Sequence, residues 1–173
     1  MPKISAIIHT HNDAQRIGRA LGSLRPCDEV LVIDHSSSDE TGKIAREHGA
    51  IVKKAVPGVS AGAYALDARH DWILCLLPGE SLSEALEASL YEWKAEDKNK
   101  DKDKKTADSG DRNEPGPAAY NIAIREEYGR GWRRRPPESR LVNRCKVNWA
   151  DTLPPQDPKA ESIPGELLRF KNP

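Results

Sequence analysis

The sequence predicts an α/β fold, a parallel sheet with helices on both faces, and three observations predict it. Short apolar runs alternate with amphipathic segments through residues 1–93. The runs are rich in Ile, Val and Leu without a polar alternate face, as strands covered on both sides must be. The segments between them carry helix-capping and helix-stopping residues, so strand and helix take turns.

Ile4-Ser-Ala-Ile-Ile-His9 is the first strand. Asn12 or Asp13 then caps a helix with Ile17, Leu21 and Leu24 on one face, ended by Pro26. Glu29-Val-Leu-Val-Ile-Asp34 is the second strand. Ser37-Ser-Asp-Glu40 reads as a capping box whose helix runs to Gly49. Ala50-Ile-Val-Lys53 is a short third strand, and a small-residue helix follows over Ala61 to Arg69. Asp71-Trp-Ile-Leu-Cys-Leu-Leu77 is the fourth strand. Ser81-Leu-Ser-Glu84 reads as a second capping box, opening a helix with Leu82, Ala85, Leu86, Ser89, Leu90 and Trp93 on one stripe.

Three compositions divide the chain. Residues 1–93, the α/β half, carry 9 Lys/Arg and 13 Asp/Glu, whereas residues 94–114 carry 7 of each and only Ala95 and Ala107 as apolar residues. So little apolar surface cannot offset the entropy of ordering, and 94–114 reads as a mobile charged loop or linker. Residues 115–173 carry 11 Lys/Arg and 7 Asp/Glu and read as a short, irregular basic region. There Ala118 to Arg125 suggests a strand, and Arg140–Arg144 with Val147–Trp149 a short strand pair. Pro154, Pro155, Pro158 and Pro164 mark a tail expected to stay out of any sheet.

The 27 basic and 27 acidic residues cancel, which argues against a polybasic nucleic-acid binder. The longest apolar run, Trp72 to Leu77, is far short of the roughly 20 residues of a membrane-spanning helix. Three cysteines at unrelated spacings and no signal-peptide pattern lead to the expectation of a cytoplasmic protein without disulfides.

Open parallel sheets bind ligands beyond the carboxyl ends of their strands. That rule selects His9–Asn12, Asp34–Ser36 and Leu77–Glu80. The ordered pair Thr10-His-Asn12 and Val32-Ile-Asp34-His-Ser-Ser-Ser-Asp39-Glu-Thr41, each at a strand's end, resembles family 2 glycosyltransferases. These are inverting, nucleotide-sugar-dependent enzymes of the GT-A (Rossmann-like) fold, and the likeness is greatest to the bacterial lipopolysaccharide-core type. It covers roughly the first half of the chain. It implies that Asp34 accepts hydrogen bonds from the base of a nucleoside diphosphate, that Thr10 and Asn12 flank that nucleotide, and that Ser36 shapes the pocket. The competing reading of Asp34 and Asp39 is that they cap the following helix, preferred for Asp39.

The resemblance also implies Mg²⁺ or Mn²⁺ held by an Asp-x-Asp motif after the fourth strand. Here Leu77 and Gly79 replace both aspartates, and only Glu80 remains as a substrate-side carboxylate. Arg140-Leu-Val-Asn-Arg…Trp149 resembles the family's acceptor-side stretch, with Arg140 carried over as a substrate contact and Asp151, or Asp157, standing where the general base is expected. The acceptor would be a glycan or a lipid-linked molecule, and the place of work the cytoplasm, peripheral to the inner face of the membrane. Arg133, Arg134 and Arg135, with Tyr128, Arg130 and Trp132, are either a solvated loop with Trp132 folded onto the core or a grip for a diphosphate or lipid-linked phosphate, with stacking on single-stranded nucleic acid ranked last. His9, His11 and His35 are either packing and hydrogen-bonding residues or ligands of a transition metal; no metal ligand is assigned. Cys75 reads as a small buried hydrophobe. Two functions follow: a sugar transferase with weakened or lost activity, or a catalytically silent module that binds nucleotide or a partner.

Overall fold

The computed structural model describes residues 1–103 and 116–173. Four parallel strands form as the apolar runs dictate: β1 (Ile4–Thr10), β2 (Glu29–Asp34), β3 (Ile51–Lys54) and β4 (Trp72–Leu76). Their side chains alternate between two cores. Ile4, Ala6, Ile8, Val32, Leu74 and Leu76 meet α1 (Ile17–Gly22), α2 (Thr41–Glu47) and α3 (Glu84–Asp103) on one face. Ile7, Leu31, Ile33, Ile73 and Cys75 meet Tyr64, Ala65 and Ala68 on the other. That second face is covered by a 3-10 helix, Ala61–Asp67, where a small-residue helix was predicted.

Four further strands extend the sheet: β5 (Glu80–Leu82), β6 (Ala119–Tyr128), β7 (Gly131–Asn143) and β8 (Glu161–Arg169). The order is β3-β2-β1-β4-β7-β6-β8-β5. Only Leu77, Pro78 and Gly79 join β4 to β5, yet β5 lies at the far edge, so the sheet curls back on itself. β7 runs antiparallel to β4 and β6, and β6 and β8 are parallel.

Several expectations are corrected. The stretch 128–137 is not irregular: β6 and β7 form a long hairpin closed by Gly129 (φ 60) and Arg130, glycine supplying the positive φ of a tight turn. Arg140 to Asn143 belongs to β7, and Val147–Trp149 is not a strand. Pro164 does enter the sheet, in a bulge of β8 where Ile163 pairs with Ile122 and Glu166 with Ala123, so Pro164 and Gly165 are skipped by the ladder. Ser81 opens no helix; it lies in β5, paired with Leu168, while Ser83 receives the Leu86 N–H at 3.2 Å. Nor does Ser37 open α2: its hydroxyl turns back to Asp34, and Asp39 takes the Thr41 N–H at 3.0 Å. Residues 94–103 continue α3 instead of forming a linker, and Lys94 is buried, donating to Pro26 O (3.0 Å) and Asp28 (2.8 Å). The rest of the expected linker lies outside the described residues. No described helix is long and apolar enough to cross a membrane.

Candidate nucleotide site at the strand ends

β1 and β2 end in register, with Thr10 opposite Asp34. The two loops that leave them are stitched together. The Asn12 N–H donates to Ser37 Oγ (2.9 Å), and Asn12 Oδ1 accepts the Ser38 N–H (2.8 Å). Asp34 Oδ1 accepts from both the N–H (3.0 Å) and hydroxyl (2.5 Å) of Ser37. Asn12 (φ 53) and Ser36 (φ 62) both occupy the left-handed region. Such conformations cost free energy and cluster where backbone is shaped for a ligand. Asn12, Asp34 and Ser36 therefore share one lip, with Asn12 and Ser36 exposed and Asp34 half-buried.

Thr10 belongs to the scaffold of this lip. It is buried, and its hydroxyl donates to Asp13 Oδ2 at 2.6 Å. Asp13, also buried, takes the His11 N–H (3.1 Å) and the Arg16 Nε–H (2.6 Å) as well. The role of Asp13 was legible only as a helix cap. Asp39 caps the turn before α2, as preferred for it, and also accepts the Ala14 N–H at 3.1 Å.

The histidines bond to one another. His9 Nδ1 lies 2.9 Å from His35 Nε2, and His11 Nδ1 2.7 Å from the His35 carbonyl oxygen. Burial, then the neighbouring His35, lowers the His9 pKa to about 4, so this ring is neutral near pH 7. Its edge meets Tyr64, whose hydroxyl receives the Val56 N–H at 2.7 Å. No three His, Cys, Asp or Glu side chains converge on a metal position among the described residues.

Glu80 and Arg140 are turned inward, away from any substrate. Glu80 is 1% exposed and Arg140 0%. Arg140 Nη1 and Nη2 each donate to a different Glu80 oxygen at 2.8 Å. Arg169 adds a bond to Glu80 Oε1 (3.0 Å), and the Leu77 N–H one to Oε2 (3.0 Å). Glu138 completes the network, accepting from Arg140 (2.9 Å) and Arg169 (3.2 Å). Burial pushes the Glu138 carboxyl up, but Arg140 and Arg169 outweigh it and hold its pKa below the ordinary value. The cation implied by the resemblance does not fit here. Leu77 and Gly79 present no side-chain oxygen, and both oxygens of Glu80 are already engaged by donors.

The three arginines of the basic stretch lie on β7 where it runs past the end of β4. Arg133 pairs with Glu126 at 2.6 Å and lies over the Tyr128 ring; Arg134 and Arg135 reach Glu166 and Glu126 at 3.5 and 3.8 Å. Arg134 remains 79% exposed. Trp132 folds edge-on against Phe170. Asp151 is exposed and follows Ala150, whose carbonyl accepts the Gly62 N–H at 3.0 Å; this sets it beside the start of the 3-10 helix. Asp157 is a turn residue, taking the Lys159 N–H at 3.0 Å. Cys75 is buried, which pushes its thiol up to about 12, as suits an inert packing residue.

A cleft of about 430 Å³ opens on the face of the 3-10 helix, walled by Ser60, Gly62, Leu66, Arg144, Val147 and Trp149. None of Thr10, Asn12, Asp34 or Ser36 lines it. Sequence reasoning missed Arg16, which lies against the turn after β4: a Cβ added to Gly79 would stand 3.5 Å from Arg16 Nη1. Its place three residues after Asp13, the spacing of an i,i+3 ion pair, was the available signal.

Comparison with known proteins agrees with this architecture. Over 94 residues the chain is 42% identical to a Rickettsia felis protein named an uncharacterized glycosyltransferase, covering 52% of this chain and 33% of that one. A Rickettsia prowazekii protein of the same description is 38% identical over 94 residues, again 52% of this chain and 32% of that one. The match thus spans about a third of the length of these relatives. Among solved structures, S. aureus TarS 1-349 superimposes with a TM-score of 0.52 at 19% identity, over 75% of this chain and 37% of that one. No family model matches. The resemblance to glycosyltransferases read from the motifs is borne out, and the mixed α/β sheet is that of the GT-A fold.

Proposed function

We propose that this chain acts as a family 2-type glycosyltransferase, with residues 1–93 as its nucleotide-sugar half, working on a glycan or lipid-linked acceptor of the cell envelope at the cytoplasmic face of a membrane. The observation that carries it is the joined pair of strand-end loops, with Asn12 and Ser36 held in left-handed backbone beside Asp34. A carboxylate at that lip suits the N–H groups of a base, and small serines let a ligand approach the backbone. The sugar would leave with its bond to the diphosphate broken and a new bond formed to an acceptor hydroxyl, whose proton a carboxylate such as Asp151 accepts. Arg133, Arg134 and Arg135 would face an anionic acceptor.

The interior position of Glu80 favours a second reading, a module that binds nucleotide without transferring sugar. Calorimetry with nucleoside diphosphates, and hydrolysis of the matching nucleotide sugars, separates the two. Binding with hydrolysis supports the transferase; binding alone supports the silent module. Asp34→Asn keeps an acceptor for Ser37 and should still weaken binding by about 1.5–3 kcal/mol. Equal affinity of wild type and variant would reduce Asp34 to a cap.

A further inference from the structure

We infer that the Arg16 guanidinium takes the place of the divalent cation and binds the diphosphate directly, an inference that rests on the nucleotide-binding reading above. Three observations carry it. The turn after β4, where the cation's ligands are expected, has no free carboxylate: Leu77 and Gly79 have no side-chain oxygen, and Glu80 is consumed by Arg140, Arg169 and the Leu77 N–H. At that same turn stands a cation of the chain itself. Measured from the Cβ that Gly79 lacks, Arg16 Nη1 lies at 3.5 Å and Arg16 Cδ at 3.8 Å. The guanidinium is also held. Asp13 Oδ1 takes Nε at 2.6 Å and Nη2 at 2.5 Å, while Nη1 has no partner among the described residues.

Asp13 is the positioning residue. It is buried, it is fixed by the Thr10 hydroxyl and the His11 N–H, and its own N–H donates to Thr41 Oγ1 at 2.9 Å. The first strand-end loop therefore orients Arg16 as well as flanking the base. Arg16 keeps 43% of its side chain in contact with solvent, so a ligand can reach it. It sits at the carboxyl ends between β1 and β4, which are neighbours in the sheet, where an open parallel sheet receives phosphate. A guanidinium offers a fork of donors matched to phosphate oxygens and carries its charge at every physiological pH. A Cβ at Gly79 would touch Arg16 at ordinary van der Waals distance and stand a tight 3.3 Å from Phe170 O, so the guanidinium lies directly against this turn.

The test is calorimetry of the whole chain with UDP, GDP, ADP, CDP and dTDP, and with the corresponding nucleosides, in EDTA and then in Mn²⁺. A diphosphate should bind in EDTA with an affinity that Mn²⁺ leaves unchanged. Arg16→Gln should weaken that diphosphate about ten- to hundredfold and leave its nucleoside unaffected. Arg16→Lys, which restores charge without the fork, should recover part of the loss. Arg46→Gln, an exposed change on α2, controls for loss of one positive charge. Diphosphate binding that requires Mn²⁺, or that Arg16→Gln leaves intact, overturns the inference while the nucleotide reading stands. Equal losses for nucleoside and diphosphate would reduce Arg16 to a scaffold residue and overturn it too. No binding of any nucleotide with or without Mn²⁺ overturns both.

Discussion

Glu80 and Arg140, sixty residues apart in the chain, meet in a two-pronged ion pair with both hydrogen bonds at 2.8 Å and neither side chain exposed. The pair bolts the turn after β4 to β7, and through Arg169 to β8. The one acidic residue left from the expected metal motif thus became a structural tie. Removing one partner of such a pair strands a buried charge. Arg140→Met should cost about 3–5 kcal/mol, whereas Glu80→Leu with Arg140→Met should cost less than the single change. Urea unfolding checks both; a double variant weaker than the single one would contradict this account.

Acid should loosen the strand-end site before it attacks the carboxylates. The folded protein holds the His9 pKa near 4, below the 6.5 of an unperturbed imidazole. Between those values the unfolded chain takes up a proton that the folded chain refuses, so stability falls as pH drops from 6.5 towards 4. His9→Gln should flatten that part of a plot of urea midpoint against pH. Glu138 has the opposite chemistry, a depressed carboxylate, so its contribution is present above 4.5 and is lost as pH falls further. The decline below 4.5 should therefore survive in His9→Gln.

Gly62 should tolerate no side chain. A Cβ there would stand 2.0 Å from the Trp149 carbonyl oxygen and 2.5 Å from its carbon. Gly62→Ala must displace the segment that carries Trp149, Ala150 and Asp151, at a cost above about 1 kcal/mol. Faster proteolysis within residues 144–153, with a lowered melting temperature, is the expected outcome. An unchanged cleavage rate would mean that the segment gives way without cost.

The hairpin tip should seek anionic surfaces. Trp132 and Tyr128 are 44% and 57% exposed, and Arg130 and the 79% exposed Arg134 stand beside them. Aromatic and basic residues together suit the headgroup region of a membrane. The protein should co-sediment with phosphatidylglycerol-containing vesicles, not with phosphatidylcholine alone, and release as salt screens the charge. Arg130→Glu with Arg134→Glu should abolish the effect; equal sedimentation with both vesicles would exclude it.

The sequence by itself determined the parallel half. Ile4–Thr10, Glu29–Asp34 and Trp72–Leu76 are apolar on both sides of a period-two backbone, and such a run can only be satisfied between two layers. It also placed Asn12, Asp34 and Ser36 on one lip, because strand ends follow from strand bounds. What only the tertiary structure decided depends on partners far along the chain. Ser81 reads locally as a helix cap, but Leu168, 87 residues on, claims it for a strand. Pro164 reads as a breaker until the bulge opposite Ala123 gives it a place that asks for no N–H donor. Lys94 reads as part of a solvated charge run until Pro26 O and Asp28 supply acceptors for its buried ammonium. Glu80 and Arg140 look like substrate contacts because charge is normally kept in water. Only the curl of the sheet, which pairs β5 with β8 while Leu77–Gly79 tie it to β4, encloses them, and a charge so enclosed must find its opposite.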